Sequence, residues 1–260
     1  MRLALFDLDD TLIDHETAYA AWAEESANDH GLSGEAVPWL LDAKASHFGS
    51  KEGLFLRIRE YFQPAEPVEK LWDHYRLRVA ELCNCWPGVL QALESPDRDG
   101  WGLGIVTNGK ADGQLAKIRR NRLDLVVRGW CISGDAGIRK PGPRIFQQAA
   151  ERCGVRDLRL GWMIGDSLDL DVGGGRSAGL QTIWINSSPH TSPAAEPAPD
   201  LTFPSTVLAI KHLLGGITAG STRRRENVTV PATRDRTPGP VQSRTRRPWP
   251  EWSGCRTASG

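Results

Sequence analysis

Residues 3–12 read Leu3-Ala4-Leu5-Phe6-Asp7-Leu8-Asp9-Asp10-Thr11-Leu12, an apolar run that gives way to three carboxylates within four residues. An apolar stretch without alternation predicts a strand covered on both faces, the kind that builds parallel sheets. The carboxylates then fall at the strand's carboxyl end, where open α/β sheets bind ligands. Acids this close repel one another unless a cation or a proton intervenes. An acidic turn capped by Thr11 is the plainer alternative.

Four further stretches have the same strand character: Leu103–Val106, Gly129–Ile132, Leu160–Ile164 and Thr182–Ile185. Helical patterns separate them, among them Ala111–Asn121 and Pro143–Cys153, the second followed by Gly154 as a left-handed cap. Strands alternating with helices predict an α/β fold with a Rossmann-like, three-layer parallel-sheet core.

The rhythm breaks once. Between the first strand and Leu103, Tyr19, Trp22, Ala23, Ser26 and Ala27 share one helical face that ends at Gly31. Leu54, Ile58 and Phe62 mark a second helix, and Leu71, Tyr75, Val79 and Leu82 a third. The expected organisation is a Rossmann-like core over residues 1–14 and 87–216, with an inserted helical cap over 15–86. Beyond Asn186, five prolines predict a loose linker before a short helix ending near Leu214. From Thr218 onward there is no Leu, Ile or Phe, and residues 217–260 are expected to be a disordered tail.

Charge follows this division. The 260 residues hold 32 basic and 32 acidic groups, yet residues 218–260 contain nine Arg against three acids, a net +6. The body is correspondingly −6. No apolar run approaches the ~18 residues a membrane span needs. The acids at Asp7, Asp9 and Asp10 interrupt any signal-peptide core. Five cysteines without a C-x-x-C pair argue against a disulfide framework and a zinc site. The expectation is a cytoplasmic monomer or homodimer with no membrane partner.

A second carboxylate cluster, Gly165-Asp166-Ser167-Leu168-Asp169-Leu170-Asp171, follows another predicted strand. It fails as a calcium loop, because Leu180 stands where a bidentate Glu is needed. Two strand-end clusters suit Mg²⁺, which takes few protein oxygens and completes its shell with water and substrate phosphate. Thr107, Asn108 and Gly109 supply a hydroxyl, an amide and a permissive backbone for phosphate oxygens. Lys140, next to Pro141, supplies a point charge of the same use.

Taken in order, these segments resemble the four motifs of the haloacid dehalogenase-like hydrolase superfamily, in particular its phosphatases. The motif residues are Asp7, Asp9 and Thr11; Thr107; Lys140; and Asp166 with Asp171. The resemblance covers about residues 1–185, and it implies an enzyme in which Asp7 attacks phosphorus and becomes an aspartyl-phosphate. Asp9 would protonate the leaving alkoxide and then deprotonate the hydrolytic water. Mg²⁺ would bind Asp7, Asp166 and the Asp9 main-chain carbonyl, while Asp171 and Thr11 support the site. Thr107, Asn108 and Lys140 would hold the transferring oxygens. A halide needs no protonation, so Asp9 points to oxygen leaving groups rather than to a dehalogenase. The implied substrate is a small phosphorylated metabolite of the nucleotide or sugar-phosphate class.

Other readings compete. A phosphotransferase or mutase would use the same residues. Gly175-Arg176-Ser177-Ala178-Gly179 matches a serine-hydrolase elbow, with Asp200 and His212 following in triad order, but glycines precede it where a strand is required. The Arg-rich tail could bind nucleic acid through phosphates; an extension without a partner is the favoured reading. Gly173-Gly174-Gly175 predicts a late or frayed helix start, leaving Asp166 more secure than Asp171.

Overall fold

The computed structural model describes residues 1–215, except residue 33 and residues 46–50, 63–65, 96–99 and 188–195. The tail expected over 217–260 lies outside the described residues.

Among the described residues one parallel sheet forms from β1 (Arg2–Phe6), β2 (Trp101–Thr107), β3 (Gly129–Ile132), β4 (Gly161–Gly165), β5 (Gln181–Ile185) and β6 (Leu201–Phe203), in the order β3-β2-β1-β4-β5-β6. β1 is central, and Phe6 pairs with Ile105 on one side and Ile164 on the other. The strand order reverses between β1 and β4, the place where α/β sheets open a crevice beyond their carboxyl ends. β6 departs from the expected loose linker: three residues, Leu201-Thr202-Phe203, are too few to register as a pattern, yet Ile183 pairs with Leu201 and Ile185 with Phe203.

The helices are α1 (His15–Asp29), α2 (Ala36–Ala45), α3 (Lys51–Phe62), α4 (Val68–Leu82) and α5 (Val89–Leu93), then α6 (Ala111–Arg120), α7 (Ser133–Ala136), α8 (Pro143–Arg152), α9 (Gly174–Ser177) and α10 (Thr206–Gly215). Alternation along the strands decides what covers each face. Leu3 and Leu5 of β1 join Val106 and Met163 against Ile145, Phe146 and Ala149 of α8. Ala4 and Phe6 face the other way, with Ile105 and Ile164, toward α5, α6 and α10. Each such aliphatic or aromatic side chain, fully buried, contributes about 1.5–3 kcal/mol. The result is helix on sheet on helix, as expected. Gly154 has the predicted left-handed φ, at +76°.

Helices α1–α4 sit between β1 and β2 in the chain. Their interior is aromatic: Trp22 and Tyr75 rings lie 4.7 Å apart and edge-on, and Phe55 and Tyr75 5.2 Å apart. Such pairs add about 0.5–1.5 kcal/mol beyond area burial. The two connections into this segment run side by side, since Asp14 N–H donates to the Asn84 carbonyl at 2.9 Å and Trp86 N–H to that of Leu12 at 3.1 Å. α2 went unforeseen in the sequence; Pro38 at its third position and mixed apolar content obscure its period.

Candidate active site

Because β1 and β4 end level with one another, the residues that follow them meet. Asp7 N–H donates to the Ile164 carbonyl at 2.9 Å, which extends the ladder one residue and fixes the Asp7 side chain at the strand tip. Carboxylate oxygens of Asp7, Asp166 and Asp171 all lie within 4.8 Å of one another. Lys140 enters from the loop after α7, its Nζ 2.7 Å from Asp7 Oδ1 and 2.6 Å from Asp171 Oδ1. The Thr11 hydroxyl donates to Asp166 Oδ1 at 3.0 Å, and the Trp184 indole N–H to the Asp166 carbonyl at 2.8 Å.

One ammonium faces three carboxylates, and the electrostatics register the imbalance. Burial raises the Asp7 carboxyl well above its ordinary value; Lys140 pulls it down, and Asp171 and Asp166 push it further up. Burial, then Asp171 and Asp10, lift the Asp166 carboxyl to about 6. Burial works against the Lys140 charge, but Asp171 and Asp7 outweigh it and hold the ammonium firmly protonated. A net-negative cluster of hard oxygen donors fits a divalent cation of the Mg²⁺ type.

Asp171 departs from expectation. It is fully buried, at 0% exposure, and lies inside a helical turn that has already begun at Leu168. A wide π-helical turn over Leu168–Gly173 starts directly after Ser167, whose carbonyl accepts from both Asp171 N–H at 3.0 Å and Val172 N–H at 3.2 Å. The turn folds the Asp171 carboxylate back to accept from Ser167 N–H at 3.1 Å. Its carboxylate lies against Gly165, where a Cβ would collide with it. The glycines are the means rather than the obstacle: a Cβ at Gly175 would come 2.8 Å from Met163 Cβ, so their bareness lets the turn press on the sheet. Asp171 is therefore the more tightly held of the two carboxylates.

Asp9 points elsewhere. Its Oδ1 receives Lys117 Nζ at 2.7 Å and its Oδ2 the Gln114 amide at 3.1 Å, and that same amide donates to Thr107 Oγ1 at 2.6 Å. Neither Gln114 nor Lys117 stood out in the sequence. Both are polar residues on α6 that one would place in solvent, yet they are 4% and 3% exposed. The available signal is their spacing, three apart and so on one helix face, with Ile118 on the buried side. Asp10, with φ +58°, turns to the start of α1 and accepts from Glu16 N–H at 2.8 Å.

Thr107 stands at the tip of β2, buried, beside Asn108. The Asn108 side chain is engaged with the Lys140 main chain: its amide donates to the Lys140 carbonyl at 3.1 Å and its oxygen accepts from Lys140 N–H at 2.9 Å. It thus fixes the lysine that serves Asp7. A cavity of about 730 Å³ opens beside Asn108, Gln114 and Lys117, walled on its far side by Trp72, Tyr75 and Arg76 of α4.

The serine-hydrolase constellation does not assemble. Ser177 Oγ donates to the Gly173 carbonyl at 2.9 Å, Asp200 accepts from Thr182 N–H at 2.8 Å, and His212 packs on Phe203.

Comparison with known proteins places the family and the fold. A haloacid dehalogenase-like hydrolase family model matches residues 1–179. The chain is 34% identical to pyrimidine 5'-nucleotidase YjjG of Escherichia coli over 128 residues, which is 48% of this chain and 55% of that one. It is 29% identical to glyceraldehyde 3-phosphate phosphatase of Pyrococcus abyssi over 197 residues, 71% and 81% of the two chains. Among solved structures, the magnesium-bound HAD-hydrolase YfnB of Bacillus subtilis matches with a TM-score of 0.63 at 23% identity, covering 82% of this chain and 98% of that one. At that identity the likeness speaks for the fold.

Proposed function

The chain belongs to the haloacid dehalogenase-like hydrolases, and from that premise we propose that it is a Mg²⁺-dependent phosphomonoester hydrolase acting through Asp7. The observation that carries this reading is Asp7 itself, fixed at the tip of the central strand with Lys140 Nζ at 2.7 Å and the Asp166 and Asp171 carboxylates beside it. A carboxylate so placed is a nucleophile with its counter-charges already arranged.

In the first half-reaction Asp9, which takes up a proton from solvent as substrate binds, gives that proton to the departing alkoxide while an Asp7 oxygen forms a bond to phosphorus and the bond from phosphorus to the ester oxygen breaks. In the second, water attacks the aspartyl-phosphate, Asp9 takes up the water's proton, and the bond from phosphorus to Asp7 breaks to release phosphate. Lys140, the Thr107 hydroxyl and the Asn108 main chain hold the transferring oxygens. Lys117 and Gln114 orient Asp9 for its two proton transfers. Asp7, Asp166 and the Asp9 carbonyl would hold the metal, with Asp171 supporting. A divalent cation bound there neutralises charge on the phosphoryl oxygens and on the clustered acids.

The insertion over 15–86 is read as a cap on the core of 1–14 and 87–216. Support comes from the paired connections at Asp14 and Trp86 and from the α4 residues that wall the cavity. The relatives act on nucleotides and on glyceraldehyde 3-phosphate by name, which supports a small phosphorylated metabolite as substrate. Among the described residues no helix is long and apolar enough to cross a membrane. Cys83, Cys85, Cys131 and Cys153 are free thiols, which supports a cytoplasmic location.

Phosphate release from a panel of nucleoside monophosphates and sugar phosphates tests the reading, with Mg²⁺ or chelator and with wild type or Asp7→Asn. Release that needs Mg²⁺ and Asp7 is expected; release that survives Asp7→Asn would overturn it.

A further inference from the structure

The cavity beside the site has one sign of charge. Lys110, Arg139, Arg76 and Lys117 line it, and among the described residues no carboxylate does. Two of these cations are already neutralised: Arg76 pairs with Asp73 and Asp112 of the protein itself, and Lys117 with Asp9. Lys110 and Arg139 are exposed, and neither has an ion pair among the described residues. About two uncompensated positive charges therefore face this space.

Their positions are set by the loops that carry them. Gly134 N–H donates to the Gly109 carbonyl at 3.0 Å, and Gly109 N–H to Ser133 Oγ at 3.0 Å. Asn108 clamps Lys140, the neighbour of Arg139, at 2.9 and 3.1 Å. The two cations thus stand on a cross-braced platform rather than on free loops. The cavity also borders the site, at Asn108 as well as beside Asp9. Gln114 and Lys117, which hold Asp9, border it, while Asp7 does not. If Asp9 protonates the leaving alkoxide, as the phosphatase reading has it, this space is where the alcohol part of the ester would project.

On the phosphatase reading above, we propose that this cavity is a leaving-group subsite for phosphate monoesters whose alcohol carries a second anionic group, bound by Lys110 and Arg139. A carboxylate or a second phosphate presents the same chemistry to them.

The test compares kcat/KM for matched esters in Mg²⁺ at high ionic strength, where long-range steering is screened. Glycerol 3-phosphate and 3-phosphoglycerate differ by a carboxylate; fructose 1-phosphate and fructose 1,6-bisphosphate differ by a phosphate. p-Nitrophenyl phosphate reports the chemistry itself. The anionic member of at least one pair is expected to be preferred about tenfold or more, the scale of one or two charge-assisted hydrogen bonds. The double variant Lys110→Glu/Arg139→Glu should bring that ratio to one or below, and which pair responds identifies the anion. Turnover of the neutral esters with no preference for either anionic member, or a preference that survives the double variant, overturns the inference and leaves the phosphatase reading standing. No turnover of any ester, p-nitrophenyl phosphate included, overturns both.

Discussion

Lys117 Nζ lies 2.7 Å from Asp9 Oδ1, a contact that joins α6 to the strand-end loop across 108 residues of chain. Gln114 takes the other Asp9 oxygen at 3.1 Å and Thr107 Oγ1 at 2.6 Å. The orientation of the proposed acid–base is therefore dictated by a helix face remote in sequence rather than by its own loop. A carboxylate gripped at both oxygens loses little entropy on reaching a reactive arrangement.

Replacing Lys117 with Met should lower kcat on an alkyl phosphate about 10²-fold, within the usual range of general acid–base catalysis. Lys117→Arg should recover part of the loss. p-Nitrophenyl phosphate needs little leaving-group protonation and should lose far less. Steady-state rates on the two esters, with circular dichroism to verify folding, check this; equal losses on both would assign Lys117 a purely structural role.

Asp7→Asn should reduce turnover by about 10⁴-fold or more, as removal of a nucleophile does elsewhere. The same variant is informative about stability. Burial pushes the Asp7 carboxyl upward, so its charge is a cost to the fold that Asn removes. Melting in chelator should be unchanged or raised, while the gain from Mg²⁺ shrinks. A large drop in chelator would show that Lys140 depends on Asp7 more than on Asp171.

The raised Asp166 carboxyl sets a pH dependence. Its ordinary value is 3.8 and in the fold it is pushed up to about 6. Between these values the native state binds more protons than the unfolded chain, so stability declines as pH rises from about 4 to about 6. Asp7 acts in the same direction. Melting temperature in chelator should fall across that window, and Mg²⁺ should restore more at pH 7.5 than at pH 5, where protons compete for the same oxygens. A metal-induced gain that is the same at both pH values would contradict this.

Asn108→Ala removes two hydrogen bonds that hold the Lys140 main chain. A loss of about 1–3 kcal/mol in stability is expected, with a rise in KM as Lys140 loosens. Urea denaturation and substrate titration measure the two effects. Weakened substrate binding with unaltered stability would show that the side chain contacts substrate instead.

Five of the six described strands, the order of the chemistry-bearing segments and the family can be read from the residues alone. Buried parallel strands are written as contiguous apolar runs, and the residues after them fall at strand tips by necessity; Asp7, Thr107 and Asp166 were legible for that reason. Trp22 and Tyr75 were legible as core because their helices are long and periodic. The rest depends on contacts that exist only in the folded chain. β6 is an edge of three residues whose only signature is its partner, β5. Gln114 and Lys117 look like surface until α6 packs against the sheet and turns them inward. The Asn108 side chain looks free for phosphate until the Lys140 loop arrives and takes its amide, which leaves the main chain for that role. Asp171 reads as insecure beside three glycines until those glycines prove to be what admits its carboxylate to the site. In each case the deciding partner is remote in the chain, and a polar side chain's role depends on whether folding supplies that partner before water does.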